Sequence, residues 1–420
     1  MQKQLMTCKN HLRRYTRVRP QQVQATYVAG QQLTFSLKGQ GVDYINFDGS
    51  CLLVQVSASV LNSLLTFGSV GLIERFRVRG GATDFEDVHH YGRWVWANHQ
   101  GQFQVFSNLS EARMSPTANT NTTLLAANPF RFTGVGAVNS VWLQIPLMTM
   151  FDQAGYFPVY MLAEELYFLF ELAANDEALS NVANPTYTIH DIYLLCDTLT
   201  AVSRGKLTST PYRWPAQLTY GILHPLNAAQ VLYRWSYDLK KTSLKKWLGM
   251  QMCSKSAAVL TQANALRGVN GQGGAAGAWS GPSSWSFSLG GTAYPFEAPL
   301  SNILEQWIQL LKYFHRQDMD GYNRDYSINY LDSFVTQNKS VALADGAGAN
   351  IARYFQCAVF DRLDQIASIM SGIDTERYDI QLELTLPVWP LAAEHNVNFF
   401  SYLTYDAVFT MGGGEIKMED

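Results

Sequence analysis

The chain has 420 residues, 47% of them hydrophobic, and a formal net charge of −3. That length supports two domains of ordinary size with packed cores, and that charge excludes a polyanion binder acting through its whole surface. Only 15% of residues are charged while 13% are aromatic, a combination that suits extensive contact between protein surfaces.

The first twenty residues depart from this average. Lys3, Lys9, Arg13, Arg14, Arg17 and Arg19 occur there without an Asp or Glu. They read as a basic arm over residues 1–20, either solvated or docked on an acidic neighbour, an inner membrane or nucleic acid.

Beyond the arm, strand-like stretches recur at Leu33–Leu37, Cys51–Val56, Leu72–Val78, Val141–Ile145, Leu166–Leu172 and Ile189–Leu195. Several alternate apolar and polar residues, as strands with one face on a core do. Ile73, Phe76 and Val78 break the alternation, which predicts a bulge or a strand covered on both faces. Residues 101–140 form a long polar excursion rich in Asn, Thr and Ala, and such excursions usually serve contacts. Near Ser203-Arg204-Gly205 the strand pattern stops. The first domain is therefore placed at 21–203 and the second at 204–420.

The second half continues through Ser243–Met252 and a Gly/Ser/Ala-rich loop over 268–291. Ile303, Leu304, Trp307, Leu310, Leu311 and Phe314 then fall at helical spacing behind Ser301, a candidate cap. Both halves close alike. Glu165–Leu172 leads through a polar loop to Tyr187–Cys196, and Tyr378–Leu386 leads through Pro387 and Pro390 to Val397–Tyr405. The expected fold is all-β: two tandem eight-stranded antiparallel jelly rolls with short helices in the connections.

Little in the chain reads as chemistry. His89, His90 and His99 flank Asp87 without the spacing of a metal site, so no metal, cofactor or catalytic residue is assigned. Glu86-Asp87 and Glu164-Glu165 are adjacent on strands and point to opposite faces, so neither pair converges on one bond. Glu86 or Asp87 is instead a candidate cap for a helix before Tyr91. The Gly271–Gly277 run lacks the Lys-Ser or Lys-Thr of a phosphate loop. Cys8, Cys51, Cys196, Cys253 and Cys357 have no paired short spacing and read as reduced, mostly buried thiols. No apolar run reaches a membrane span's length and no signal-peptide core is seen, so the expectation is a product made inside a host cell.

Particular stretches resemble a known family. The segment Gly68–Tyr91, in which an apolar strand carrying Arg, a Gly turn and a Glu-Asp pair precede an aromatic, resembles a signature of the double jelly-roll major capsid proteins of icosahedral DNA viruses. Those of virophages and polinton-like viruses, with tectivirus-like relatives, are the members meant. Leu169–Ala178 with Tyr187–Leu194, Ser243–Lys246, and Ser371–Thr375 with Tyr405–Phe409 resemble later parts of the same pattern, in the same order. The resemblance implies a homotrimeric, pseudo-hexameric capsomer tiling a virion shell, with penton and minor capsid proteins as partners and genome DNA or an internal membrane beneath. It implies no enzyme activity. The rival reading is a carbohydrate-binding or carbohydrate-cleaving β-sandwich, motivated by Trp279, Trp285 and the many tyrosines.

Overall fold

The computed structural model describes residues 11–37, 43–81, 83–102, 132–151, 154–180, 182–201, 211–227, 230–256, 284–295, 297–301, 303–313, 356–360, 372–385, 395–412 and 414–419. The first half runs β1 (His11–Val18), β2 (Tyr27–Val28), β3 (Gln32–Ser36), β4 (Tyr44–Ala58), β5 (Leu64–Leu65), β6 (Ile73–Gly80), β7 (Thr83–His89), helix α1 (Tyr91–Gln102) and β8 (Val141–Pro146). It ends with β9 (Tyr156–Phe157), β10 (Leu166–Leu172), the one-turn helix α2 (Asn175–Ala178), β11 (Leu179–Ser180) and β12 (Tyr187–Ala201). The second half runs β13 (Tyr212–Pro225), β14 (Leu232–Tyr237), β15 (Leu244–Ser256), β16 (Ser284–Leu289), β17 (Thr292–Tyr294) and helix α3 (Ile303–Tyr313). It closes with β18 (Gln356–Val359), β19 (Ile380–Thr385), β20 (His395–Gly412) and β21 (Glu415–Glu419).

Each half packs two four-stranded main sheets. In the first these are β1-β12-β4-β8 and β3-β10-β6-β7; in the second, β13-β20-β15-β18 and β14-β19-β16-β17. With the two-residue strands and β21 set aside, the main strands of each half number one to eight. Both halves then read 1-8-3-6 and 2-7-4-5, the double Greek key of a jelly roll. The expected tandem fold is present, strand for strand.

The cores follow from the alternation. In β3, Leu33 and Phe35 point inward, and in β19 Ile380, Leu382 and Leu384 do. Aromatic rings fill the space between sheets, where they bury much area and favour tilted packing. Phe47 of β4 meets Phe168 of β10 at 5.3 Å, and Trp247 of β15 meets Phe287 of β16 edge-on at 4.9 Å.

The predicted irregularity in the Leu72–Val78 strand is a bulge at Glu74. Arg75 lies opposite Glu171 and Ile73 opposite Leu172, so Glu74 is an extra residue. The bulge lets Ile73 and Phe76 both enter the core despite their odd spacing.

Other local expectations change. The helix beside Tyr91 begins at that residue rather than ending before it, and neither Glu86 nor Asp87 caps it. Glu86 is buried and accepts the Met150 amide at 2.9 Å, while Asp87 takes the Arg75 guanidinium. The polar excursion starts as the last turn of α1, and residues 103–131 lie outside the described part. Helix α3 forms as spaced and packs against β18. The side chains of its predicted apolar stripe lie outside the described residues. The inter-domain boundary at 203–205 does so too, between the end of β12 and the start of β13.

Candidate functional site

The basic segment is the first feature with a possible role. Lys3 and Lys9 lie outside the described residues, but residues 11–18 form the edge strand β1, paired antiparallel with β12 from His11↔Ala201 to Val18↔Leu194. This part of the expected arm is therefore built into the first jelly roll. The reason is an anchor that the charge count alone does not show. Arg13 donates through Nε and Nη2 to the two oxygens of Asp197, at 2.9 and 2.7 Å. Asp197 is fully buried and also accepts Asn46 Nδ2 at 3.1 Å, while its own amide donates to Ser50 Oγ at 3.0 Å. A side chain at position 49 would meet the carboxylate, so Gly49 clears its pocket.

Further along, Arg19 pairs with Asp191, and the guanidinium groups of Arg17 and Arg19 sit over the Tyr193 ring at 5.0 and 5.1 Å. Cation–π contact of this kind holds a cation on a surface while leaving its outer face open. Arg13, Arg14, Arg17 and Arg19 are all exposed, beside exposed Leu12 and Tyr15. A basic strand with one free edge faces solvent, among the described residues.

The second feature is the seam between the jelly rolls. Trp214 of β13 stacks on Phe409 of β20 at 5.3 Å and reaches Phe157 and Phe151 of the first half at 5.3 and 6.0 Å. Tyr212 donates its hydroxyl to the Ala154 carbonyl, and the Ala163 amide donates to Gly414 O at 2.9 Å. At the other end, Tyr402 of β20 donates to the carbonyl of His90 at 3.0 Å, and the Phe400 ring meets the His90 ring edge-on at 5.0 Å. Gly221 is required there, because a Cβ would lie 2.5 Å from the His89 carbonyl.

Four charged or titratable side chains gather behind this contact, Arg93 buried and Glu74, His90 and Glu177 partly exposed. Arg93, 4% exposed, donates to Glu74 at 3.1 Å and lies 3.7 Å from Glu177; His90 Nδ1 contacts the other Glu74 oxygen. The bulge delivers Glu74, the first turn of α1 delivers Arg93, and α2 delivers Glu177. Burial alone raises the Glu74 carboxyl, but the His90 hydrogen bond and the Arg93 charge outweigh it and hold that group below the usual range. Burial pushes Glu177 up, and Arg93 offsets this only in part. Phe400 and Phe67 close over the guanidinium at 4.7 and 5.4 Å.

Among the described residues, the remaining candidates make structural contacts. The His89 ring is 3.9 Å from Asp87, and His99's side chain lies outside the described part; among the described residues no three His, Cys, Asp or Glu gather to hold a metal. Glu86 and Asp87 face opposite ways as strand geometry requires, and Glu165 accepts the Tyr167 hydroxyl. Cys51, Cys196 and Cys357 are free, buried thiols, the first two pushed up to about 11 and about 12 by burial. Trp285 is 1% exposed and packed on Trp247, so it offers no platform to a sugar; Trp279 and the 271–277 run lie outside the described residues. Among those residues no helix is long and apolar enough to cross a membrane.

Sequence reasoning missed Asp197, Asp191, Arg93, Glu177 and Tyr402. Asp197 carried a signal, since a lone carboxylate inside the last apolar strand needs a cation and the arm supplies one.

No protein-family model and no curated protein matches the sequence. Solved structures do match. The capsid of the virus PBCV-1 aligns with 98% of this chain and 97% of its own at a TM-score of 0.64 and 12% identity. The Sputnik virophage structure aligns with 98% and 88% at 0.61 and 8%, and the mavirus major capsid protein with 96% and 90% at 0.51 and 9%. The chain has the double jelly-roll fold of viral major capsid proteins. The match takes in both jelly rolls, since it covers 96–98% of this chain.

Proposed function

We propose that the protein is a major capsid protein, whose trimers form pseudo-hexagonal capsomers that tile an icosahedral shell around a DNA genome. The observation that carries this reading is the repeated 1-8-3-6 and 2-7-4-5 strand order of two jelly rolls, alike over their full length to capsid chains. Two similar domains per subunit let a threefold trimer present six similar blocks, which suits the hexagonal positions of a closed shell. The low charge and high aromatic content fit a subunit that covers much of its surface with copies of itself. Its work is structural and no catalytic step is assigned to it. In the virion it would meet penton and minor capsid proteins as well as itself.

The basic residues Lys3, Lys9, Arg13, Arg14, Arg17 and Arg19 are the proposed inner contact, with genome DNA, an internal membrane or a neighbouring capsomer. Exposed Arg14 and Arg17 on an edge strand support this, because phosphate binding needs cations reachable from solvent. Arg14→Gln with Arg17→Gln, which leaves the β1 ladder and the Arg13 anchor in place, then reduces shell assembly or genome retention; assembly and retention unchanged would defeat this part alone.

Light scattering and electron microscopy of the purified chain test the whole reading. A species near three times 47.1 kDa with a pseudo-hexagonal outline is expected. A stable monomer that binds glycans would replace it with the sugar-binding reading.

A further inference from the structure

We propose that the outer face of the first roll around Trp142, Tyr193 and Tyr15 docks the fifth-strand corner of the second roll, β17 and the start of α3, of another copy of this chain. This rests on the capsomer reading and names the surface through which its subunits join. The seam inside one chain is a joint of that kind. The fifth main strand of the first roll, β7, lies against the first main strand of the second, β13, and α1, which follows β7, reaches the eighth, β20. Tyr402 of β20 donates to the His90 carbonyl, Phe400 meets the His90 ring, and Arg93 of α1 covers Phe400 at 4.7 Å. The fifth-strand corner of one roll thus sits on the first- and eighth-strand face of the next.

Corner and face each occur in both rolls, and the internal seam uses one of each. The second roll has its own corner, because β17, its fifth main strand, leads into α3 as β7 leads into α1. Phe85 and Val88 of β7 are buried, and Phe85 meets Phe409 of β20 edge-on at 5.8 Å. Thr292 and Ala293 of β17 are exposed.

The first roll likewise has its own face. Tyr193 precedes Asp197 by four residues, as Tyr402 precedes Asp406. Leu53 and then Gln144 lie beside Tyr193 across the sheet; Leu248 and then Cys357 lie beside Tyr402. In the second roll these three positions are at most 1% exposed. In the first, Leu53 and Gln144 are partly exposed, and Trp142, in ring contact with Tyr193 at 5.8 Å, is 45% exposed. Tyr15, opposite Asp197 on β1, is also exposed. Aromatic side chains set on an ordered sheet are the anchors that dominate binding between proteins.

Charge fits the same pairing. Arg17 and Arg19 rim the face with their guanidinium groups over Tyr193. Residues 284–311, which include β17 and most of α3, contain Glu297 and Glu305 and no Lys, Arg or His. Glu297 is exposed, and Glu305 is the third residue of α3, as Arg93 is of α1. In the internal seam the helix brings a cation to an aromatic face; between copies the face carries the cations and the helix the carboxylate. Arg14, on the opposite face of β1, takes no part. Since corner and face are different surfaces, the contact runs head to tail, and repeating the internal joint between chains makes a ring of rolls rather than a two-fold pair.

Light scattering over a dilution series tests this on wild type, on Trp142→Glu, and on the double variant Glu297→Arg with Glu305→Arg. Wild type should be a trimer. Each variant should dissociate at a concentration about tenfold or more higher, as loss of a central anchor or reversal of facing charges does, with far-ultraviolet circular dichroism unchanged. A Trp142→Glu trimer as tight as wild type would overturn the proposal and leave the capsomer reading standing. An equally tight trimer of the double variant would overturn it too, because another surface would then cover the face. A wild-type chain that never forms trimers would overturn both readings. Should Trp142→Glu fail to fold, hydroxyl-radical footprinting of wild type decides instead. Oxidation of Trp142 and Tyr15 should be several-fold slower in the trimer than in the diluted monomer, and equal rates would overturn the proposal.

Discussion

The two jelly rolls place a buried aspartate at the same point and surround it differently. In the first, Asp197 on the eighth strand holds Arg13 of the first strand, with Ser50 of the third strand on its amide. In the second, Asp406 on the eighth strand accepts Ser243 Oγ at 2.8 Å just before the third strand, Gln217 Nε2 of the first strand at 3.4 Å, and Lys245 at 3.7 Å. Both sit beside register shifts between the third and eighth strands. The same topological corner is stitched by the same residue type, yet the first strands depend on it unequally. β13 buries Tyr212, Trp214, Ala216 and Leu218, whereas β1 buries Val18 and leaves Leu12 and Tyr15 about three-fifths exposed. One edge strand is held by its core side chains and the other chiefly by ions and backbone.

This contrast predicts that the largest effect comes from β13. Trp214→Ala removes a ring that is 2% exposed and joins Phe409 to Phe157 and Phe151 across the seam. A cost of about 3–5 kcal/mol is expected, as for other buried aromatic truncations, and urea denaturation measures it. Unfolding should also split into two transitions as the rolls separate. A single transition with unchanged midpoint would mean that Trp214 is not the link.

Gly221→Ala probes the opposite end of the seam. Its methyl group would meet the His89 carbonyl, a backbone atom that yields only by moving β7 from β13. Overpacking of this kind costs about 2 kcal/mol. The same change at Gly30, where nothing lies within 4 Å, costs only backbone strain. Gly221→Ala no more destabilising than Gly30→Ala would show that the seam is loose.

A smaller effect separates the rolls by pH. His224 near the end of β13 stacks flat on Trp235 at 4.3 Å, its Nε2 is buried without a hydrogen-bond partner among the described residues, and burial lowers it to about 4. An unfolded histidine titrates near 6.5, so the unfolded chain binds a proton first as pH falls. The second roll therefore loses stability below about pH 6.5 and down to about 4. Partial exposure cuts the effect to about 1–2 kcal/mol. His224→Phe should flatten this acid limb in thermal melts; an unchanged limb would place the titrating group elsewhere.

Much of this architecture was legible from spacing. Strict alternation at Leu33–Leu37 and Ile380–Leu384 marked strands, and the repeated closing pattern marked the tandem. The failure of alternation at Ile73 and Phe76 marked the bulge that delivers Glu74. The seam was not legible, because Arg93 and Glu177 come from separate elements of the first roll and Tyr402 meets His90 beside them only when the two finished domains dock. That residues 11–18 join the sheet was not legible either, for a physical reason. A run of cations reads as solvated unless its counter-ion is visible, and Asp197 and Asp191 lie more than 170 residues away.

That long-range pair gives the finest test of the comparison. Arg13→Gln keeps the length and polarity of the side chain but removes its charge and its two-pronged bond to Asp197. β1 would keep its ladder to β12 and lose its anchor, so it should fray while the rest of the first roll, closed by β12, β4 and β8, stays folded. Trypsin should then cut at Arg14 and Arg17 several-fold faster, with mass spectrometry locating the cuts and the main unfolding transition unmoved. The matching change in the second roll, Gln217→Ala, should leave β13 uncut, because its buried side chains hold it without that bond. Equal trypsin resistance of wild type and Arg13→Gln would mean that backbone pairing alone fastens β1, and the distinction between an ionic and an apolar edge would fall.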